Sequence, residues 1–141
     1  MIRVGLFGTT SDSTWREELI SKLDINNISY FNPVVDDWNE ECIDIENEEK
    51  KKDDILLFVI TPELQGFYSI AEATHASNVM KQKCIFCPIK KYGEKEFNLS
   101  QWKSIQAICK LLLENNTRIF YSLDDTADYL NRIAKSSKVL F

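Results

Sequence analysis

The stretch from Ile55 to Ser77, I-L-L-F-V-I-T-P-E-L-Q-G-F-Y-S-I-A-E-A-T-H-A-S, decides the fold. Its first six residues, Ile55–Ile60, are all apolar, as in a parallel strand that is buried on both faces. A turn containing Pro62 and Gly66 follows, and a helix is predicted to begin near Tyr68 or Ser69. The stretch therefore predicts a central strand of an α/β sheet and the helix that follows it.

One carboxylate, Glu72, is predicted in the first turn of that helix, beside the small residues Ala71, Ala73 and Ala76. In an α/β sheet, the carboxyl end of a strand and the start of the next helix form the ligand crevice. A glutamate with apolar neighbours there is well placed to attack or stabilise a reacting carbon. The alternative is an ordinary first-turn acid that the helix dipole favours. This stretch alone does not distinguish the two.

Strand and helix patterns alternate along the rest of the chain. Further strands are predicted at Ile2–Phe7, Ile28–Phe31, Cys84–Ile89 and Arg118–Tyr121, and helices after Ser13 or Thr14 and at Asn39–Lys52, Ile70–Met80, Ser100–Glu114 and Asp124–Ala134. Such repeats predict an α/β, three-layer, flavodoxin-like (Rossmann-like) fold with helices on both faces of a five-stranded parallel sheet, order 2-1-3-4-5. With 141 residues, the chain is predicted to form a single domain, 1–141, with its crevice at the first and third strands.

Composition and charge exclude several classes of function. The net charge of −5 argues against a general nucleic-acid binder, which needs clustered Lys and Arg. The one basic run, Lys50–Lys52, closes an acidic helix and is interpreted as a solvated helix end. No apolar run approaches membrane-spanning length, and the N-terminal residues predict a strand rather than a signal peptide. The four cysteines fit reduced thiols, so we expect a cytoplasmic protein without a membrane partner.

Two loops are candidates for binding a ligand. Gly8, Thr9 and Thr10 follow the first strand, where backbone N–H groups can hold a phosphate or sugar hydroxyls. A tight strand–helix turn needs the same residues, so a ligand-binding role and a purely structural role are equally supported. The second loop, Asn32–Trp38, has residues that suit a turn, but it is more apolar than a surface turn without a function would be. Its Asp36, Asp37 and Trp38 would suit sugar hydroxyls or a base, and the functional reading is favoured.

The cysteine and histidine positions do not predict a metal or redox site. Cys84 and Cys87 lie in a predicted strand and should point to opposite faces of the sheet, whereas redox CxxC motifs open helices. His75 is the only histidine, which leaves too few ligands for zinc, and together with the absence of a G-x-S-x-G elbow this argues against a hydrolase triad. We therefore expect neither a metal nor a cofactor, and His75 is interpreted as a packing residue.

Three blocks of the sequence resemble the nucleoside 2-deoxyribosyltransferase-like family, in particular its small bacterial and phage-associated branch. They are F-G-T-T-x-x-S-T-W-R-x-E-L-I (Phe7 to Ile20), Y-F-N-P-V-V-D-D-W (Tyr30 to Trp38) and V-I-T-P-E-x-x-G-x-Y-S-I-A-E (Val59 to Glu72). The resemblance implies the flavodoxin-like fold predicted above. It also implies that a nucleophilic glutamate lies early in the helix after the third strand, which here is Glu72.

The implied reaction is cleavage or transfer of the N-glycosidic bond of a nucleoside or nucleotide through a glycosyl–Glu72 ester. Tyr68 would orient the nucleophile, and Asp54, Asp36 or Asp37 would orient sugar hydroxyls or help to protonate the base. Substrate-binding residues are expected at Gly8, Thr9, Thr10, Trp15, Asn32, Pro33, Asp36, Asp37, Trp38, Gly66 and Ser69.

One departure from the family pattern keeps the outcome open. The loop before the catalytic glutamate usually carries an aspartate, but here it reads Pro62–Ser69 with Glu63 as its acid. Gly66 and Ser69 suggest a different substrate contact there, such as a 5′-phosphate. Transfer, hydrolysis, and binding of a nucleotide or ADP-ribose-type signal without chemistry are therefore separate hypotheses.

A homo-oligomer is also expected. The resemblance implies that a neighbouring subunit helps to close the site. Two apolar segments are expected to be buried against another surface. They are Phe67 and Tyr68 on the active-site loop and the apolar ending Val139–Phe141. Folding of the tail onto its own sheet is the alternative.

Overall fold

The computed structural model describes residues 1–10, 12–35 and 38–139, with side chains in the last range up to residue 136. A five-stranded, all-parallel sheet has the order β2-β1-β3-β4-β7, and a separate antiparallel hairpin is formed by β5 and β6. The strands are β1 (Ile2–Gly8), β2 (Ile28–Phe31), β3 (Ile55–Ile60), β4 (Lys83–Pro88), β5 (Lys91–Tyr92), β6 (Lys95–Glu96) and β7 (Arg118–Ile119). Because β7 is the fifth strand of the main sheet, the predicted order 2-1-3-4-5 is confirmed.

Helices cover both faces of the sheet, as the three-layer prediction requires. They are α1 (Trp15–Ile20), α2 (Glu40–Lys52), α3 (Tyr68–Val79), α4 (Leu99–Glu114) and α5 (Leu123–Val139). The side chains of α1 and α5 pack in one apolar layer, and those of α3 and α4 pack in the other. In the described part of the chain, none of the helices is long and apolar enough to cross a membrane.

Strand β3 is the centre of the molecule. All six of its residues are buried, and it pairs with β1 on one side and β4 on the other. Its side chains alternate between the layers, with Leu57 in the α1/α5 core and Phe58 in the α3/α4 core. Burial on both faces explains why the sequence shows an unbroken apolar run. Cys84 and Cys87 likewise lie in opposite layers, so the prediction that they point apart is confirmed.

The differences from the predicted elements lie at the periphery. Sequence reasoning missed the short hairpin of β5 and β6, whose two-residue strands are too short for a periodic signal. The helix α4 begins earlier than predicted because Asn98, rather than Ser100, accepts from the backbone N–H of Gln101. The Gln101 side chain in turn accepts from the Asn98 backbone N–H, which completes a capping box.

The end of β1 shapes the crevice. Gly8 has a φ of +124°, which L side chains rarely adopt, and a Cβ there would collide with the carbonyl oxygen of Val59 on β3. Glycine thus lets the loop after β1 leave the sheet directly against β3.

Candidate active site

A crevice of about 360 Å³ opens at the carboxyl ends of β1 and β3. Its walls come from the end of β1, the loops after β1, β2 and β3, and helices α1, α2 and α3. The residues that line it are Phe7, Gly8, Thr10, Arg16, Pro33, Val34, Val35, Trp38, Glu46, Gly66, Tyr68, Ser69 and Glu72. The crevice therefore lies where the strand order predicts a ligand site.

Glu72 lies in the wall of this crevice and is only 8% exposed. Because α3 begins at Tyr68, Glu72 is in the second turn of the helix, and the prediction of a first-turn position is wrong. The explanation of Glu72 as an ordinary first-turn acid loses its basis with that correction. Its Oε2 accepts a hydrogen bond from the ammonium group of Lys50, which is itself 6% exposed.

Lys50 was predicted on a solvated helix end, and this prediction is wrong. It is the buried residue of α2, and its Nζ lies 5.3 Å from the centre of the Phe7 ring. Nζ is also 3.4 Å from Oδ1 of Asn47. The ammonium group is buried because it has the Glu72 carboxylate and an aromatic face as partners, whereas Lys51 remains exposed.

Arg16 supplies a second buried cation to the crevice. Its Nε donates to the carbonyl of Leu6 at 3.0 Å, and its Nη1 donates to the carbonyl of Thr9 at 2.7 Å. Among the described residues, its Nη2 is buried without a hydrogen-bond partner. Burial lowers the pKa of Arg16 to about 10, although Glu17 and Glu46 oppose the shift. The guanidinium group thus secures the loop after β1 through Nε and Nη1.

Glu46 and Tyr68 complete the ionisable groups of the crevice. Burial raises the pKa of Glu46, and the charge of Glu72 adds to the increase, while Lys50, Trp38 and Arg16 act in the opposite direction. Burial also raises the pKa of Tyr68, with further contributions from Glu72 and Glu46. The pKa values of Glu46 on α2 and Tyr68 on α3 are therefore both raised by burial and by the charge of Glu72.

Most of the described substrate-binding residues predicted from the sequence line this crevice. Those that do so are Gly8, Thr10, Pro33, Trp38, Gly66 and Ser69, together with the predicted catalytic residues Tyr68 and Glu72. Asp36 and Asp37 lie outside the described residues.

Thr9 and Trp15 are fully buried and serve the scaffold instead. The Thr9 hydroxyl accepts from the backbone N–H of Thr61 at 2.9 Å, so it connects the loops after β1 and β3. The indole N–H of Trp15 donates to the Thr9 carbonyl at 2.7 Å. These polar groups are occupied inside the protein, which is why neither residue lines the crevice.

Asp54 and Asn32 also lie apart from the crevice lining. Asp54 precedes β3 at the amino end of the sheet, where its carboxylate accepts from the backbone N–H of Arg3 at 2.8 Å. The crevice is at the opposite end of β3, about 20 Å away for a six-residue strand. Asn32 accepts from the backbone N–H of Val34 at 3.1 Å, which fits the turn interpretation.

A family model described as nucleoside 2-deoxyribosyltransferase like matches residues 2–92, more than half of the chain. The chain belongs to the nucleoside 2-deoxyribosyltransferase-like family. A comparison with curated proteins found no match. Family membership indicates a nucleoside deoxyribosyltransferase-like activity and a small-molecule nucleoside partner. The matched span contains every residue that lines the crevice.

Glu63, the acid in the loop between β3 and α3, has a structural role in the described contacts. Glu63 accepts from the Ser13 hydroxyl at 2.5 Å and from the Thr61 hydroxyl at 3.1 Å. These bonds connect the loops after β1 and β3 and occupy the Glu63 oxygen Oε1. Glu63 is not among the residues that line the crevice.

A second, larger cavity of about 770 Å³ lies between α2 and α3. Tyr68, Glu72 and Lys50 border it, as do Lys51 and His75. His75 is exposed here, so its interpretation as a packing residue is wrong. Because Glu72 borders both cavities, its carboxylate lies at the boundary between them.

Sequence reasoning missed Arg16, Glu46 and Lys50. One signal was available, because Glu46 and Lys50 are four residues apart and so share a helix face. The acidic composition of α2 concealed it. For Arg16, the signal was its place inside the first resembling block, Phe7 to Ile20.

Proposed function

We propose that this family member cleaves or transfers the N-glycosidic bond of a nucleoside or nucleotide through a covalent glycosyl–Glu72 ester. The observation that carries the proposal is the burial of the Glu72 carboxylate in the wall of the crevice, with Lys50 bound to one oxygen. A fixed, ionised carboxylate is the nucleophile that retaining glycosidic chemistry requires.

The reaction would proceed in two displacements at the anomeric carbon. Oε1 of Glu72 forms a bond to C1′ as the C1′–N bond breaks and its electron pair leaves with the base. Water or a second base then attacks C1′ from the opposite side, and the ester electrons return to the carboxylate. Two inversions give net retention. Water gives hydrolysis and a second base gives transfer, so one nucleophile serves both outcomes.

The shape of the crevice supports a substrate of nucleoside size. Its volume of about 360 Å³ falls within the range of small-molecule sites. We assign the base to the apolar wall of Pro33, Val34 and Trp38. The sugar and any 5′-phosphate would contact Gly8, Thr10, Gly66 and Ser69, the last in the first turn of α3 where backbone N–H groups favour anions. Tyr68 would orient the Glu72 carboxylate.

The Glu72→Gln variant tests this proposal. Glutamine keeps an oxygen for Lys50 but is not nucleophilic, so base release and base exchange should fall below detection. Chromatography would follow free base from a panel of nucleosides and their 5′-monophosphates, and mass spectrometry would look for the glycosyl adduct. Glu48→Gln is the matched control, because Glu48 is an exposed carboxylate on α2. Full turnover by Glu72→Gln would refute the proposal.

Signal binding without chemistry is the second candidate. The loop before α3 favours it, because this loop lacks the family's usual aspartate and its own acid, Glu63, is bonded to the hydroxyls of Ser13 and Thr61. The same chromatography separates the two functions. A nucleotide or ADP-ribose-type ligand that binds tightly and is recovered unaltered supports the binding module, whereas a released or exchanged base supports the enzyme.

A further inference from the structure

Among the described residues, Glu72 is the one carboxylate within ion-pair distance of the Lys50 ammonium group. Both residues are buried, so water screens neither charge well. The other described neighbours of Nζ are neutral, namely Oδ1 of Asn47 at 3.4 Å and the Phe7 ring, whose centre is 5.3 Å away. Glu46 also lines the crevice but forms no ion pair with Lys50 in the described contacts. Lys50 therefore depends on Glu72 for its counter-charge.

Formation of a glycosyl ester on Glu72 would remove this counter-charge. In the first displacement, Oε1 bonds to C1′, and the negative charge of the carboxylate leaves with the base as the C1′–N bond breaks. Oε2 becomes a neutral ester oxygen, which still accepts a hydrogen bond from Lys50. The ammonium group is then buried without an opposite charge, and such a state is strongly unfavourable.

We propose that Lys50 is a positioning residue that acts through Glu72 to make the glycosyl ester short-lived, an inference that rests on the proposed function. In the second displacement, the oxygen of water or a nitrogen of the incoming base bonds to C1′. The C1′–Oε1 bond breaks, its electron pair returns to the carboxylate, and the proton of the attacking group passes to the solvent. Lys50 regains its counter-charge in this step, so the ion pair favours release of the sugar.

The ion pair also determines which displacement limits the rate. Lys50 stabilises the carboxylate before the attack and after the release, but it does not stabilise the ester between them to the same extent. Attack by Glu72 is therefore slowed and breakdown of the ester is accelerated. In the wild-type protein the first displacement limits turnover, and the ester does not accumulate.

Lys50→Gln tests this inference, because the glutamine amide is neutral but retains a hydrogen-bond donor. The substrate is the member of the panel of nucleosides and 5′-monophosphates that wild type cleaves fastest. Rapid quenching would follow base release in the first turnover, and mass spectrometry of the intact protein would detect the ester. Wild type should show neither a burst of base nor an ester. Lys50→Gln should show both, because its second displacement should be about 10–100-fold slower.

The steady-state constants distinguish this role from a loss of structure. The value of kcat/KM depends on the steps up to departure of the base, whereas kcat also contains the breakdown of the ester. Lys50→Gln should therefore lower kcat and KM together and keep kcat/KM within a few-fold of wild type. Lys50→Arg keeps the charge and should show no burst. Lys51→Gln is the matched control, because Lys51 is the next residue of α2 and is exposed.

Several outcomes would overturn the role of Lys50 while the proposed function stands. They are an ester that accumulates in wild type, a folded Lys50→Gln variant without a burst, and a loss of kcat/KM in that variant as large as its loss of kcat. Circular dichroism would verify that each variant is folded, and the wild-type measurement needs no variant. Failure of wild type to release base from any member of the panel would overturn the proposed function and this inference together.

Discussion

The ammonium group of Lys50 on α2 is paired with the carboxylate of Glu72 on α3, and both side chains are less than 10% exposed. The pair joins two helices at the edge of the crevice. A buried ion pair adds little net stability compared with an apolar replacement, because both charges must leave water. Removing one partner is costly because the other charge then stays buried alone.

Lys50→Met is therefore expected to lower the free energy of unfolding by about 3–5 kcal/mol. The double variant Lys50→Met/Glu72→Leu should regain most of that loss, because neither charge remains. Urea unfolding followed by circular dichroism would measure both values. Lys51→Met is the control, since the pair of Lys51 with Glu48 is exposed and contributes little. A double variant as unstable as the single one would contradict the expectation.

The second prediction concerns pH and the buried Asp53. Burial, with help from Glu49, raises its pKa from 3.8 to about 6, although Arg3 bonds one of its oxygens. Between pH 3.8 and about pH 6, Asp53 keeps its proton in the folded protein and releases it in the unfolded chain. The folded state then binds more protons, so the free energy of unfolding decreases as pH rises from about 4 to about 6.

Asp53→Asn removes this titration while it retains an acceptor for Arg3. The stability of wild type relative to Asp53→Asn should therefore fall by about 2 kcal/mol between pH 4 and pH 6 and change little above that. Urea unfolding at four pH values would measure the difference. Asp44→Asn, an exposed site on α2, is the control. A constant difference across this range would refute the prediction.

The fold was predictable because its signals are local in the sequence. The strands Ile28–Phe31 and Ile55–Ile60 begin and end where the apolar runs predict. The position of Glu72 beside the crevice followed from the same strand order. The single-domain boundary, 1–141, stays a prediction.

The charges around Glu72 were not predictable in the same way. A lysine at the end of an acidic helix is usually solvated, and nothing local reveals that the Glu72 carboxylate, 22 residues later, will contact it. Asp54 was predicted at the site although it precedes β3. A residue that precedes a parallel strand lies at the amino end of the sheet, whereas the crevice is at the carboxyl end. Electrostatic partners on different elements become visible only after packing.

The last prediction is a homo-oligomer that covers the mouth of the crevice. Phe67, at the start of α3, is 78% exposed, and its neighbour Tyr68 in the crevice wall is 50% exposed. Two neighbouring aromatic side chains exposed beside a binding site form an apolar patch of the kind that a second subunit covers. Light scattering at micromolar concentration should give a multiple of 16.4 kDa, and Phe67→Ser should shift the mass toward the monomer. Leu99→Ser, on α4 and 72% exposed in wild type, should leave the mass unchanged. A wild-type mass near 16.4 kDa, unchanged by added nucleoside, would end this expectation, because Phe67 would then face solvent in the working protein.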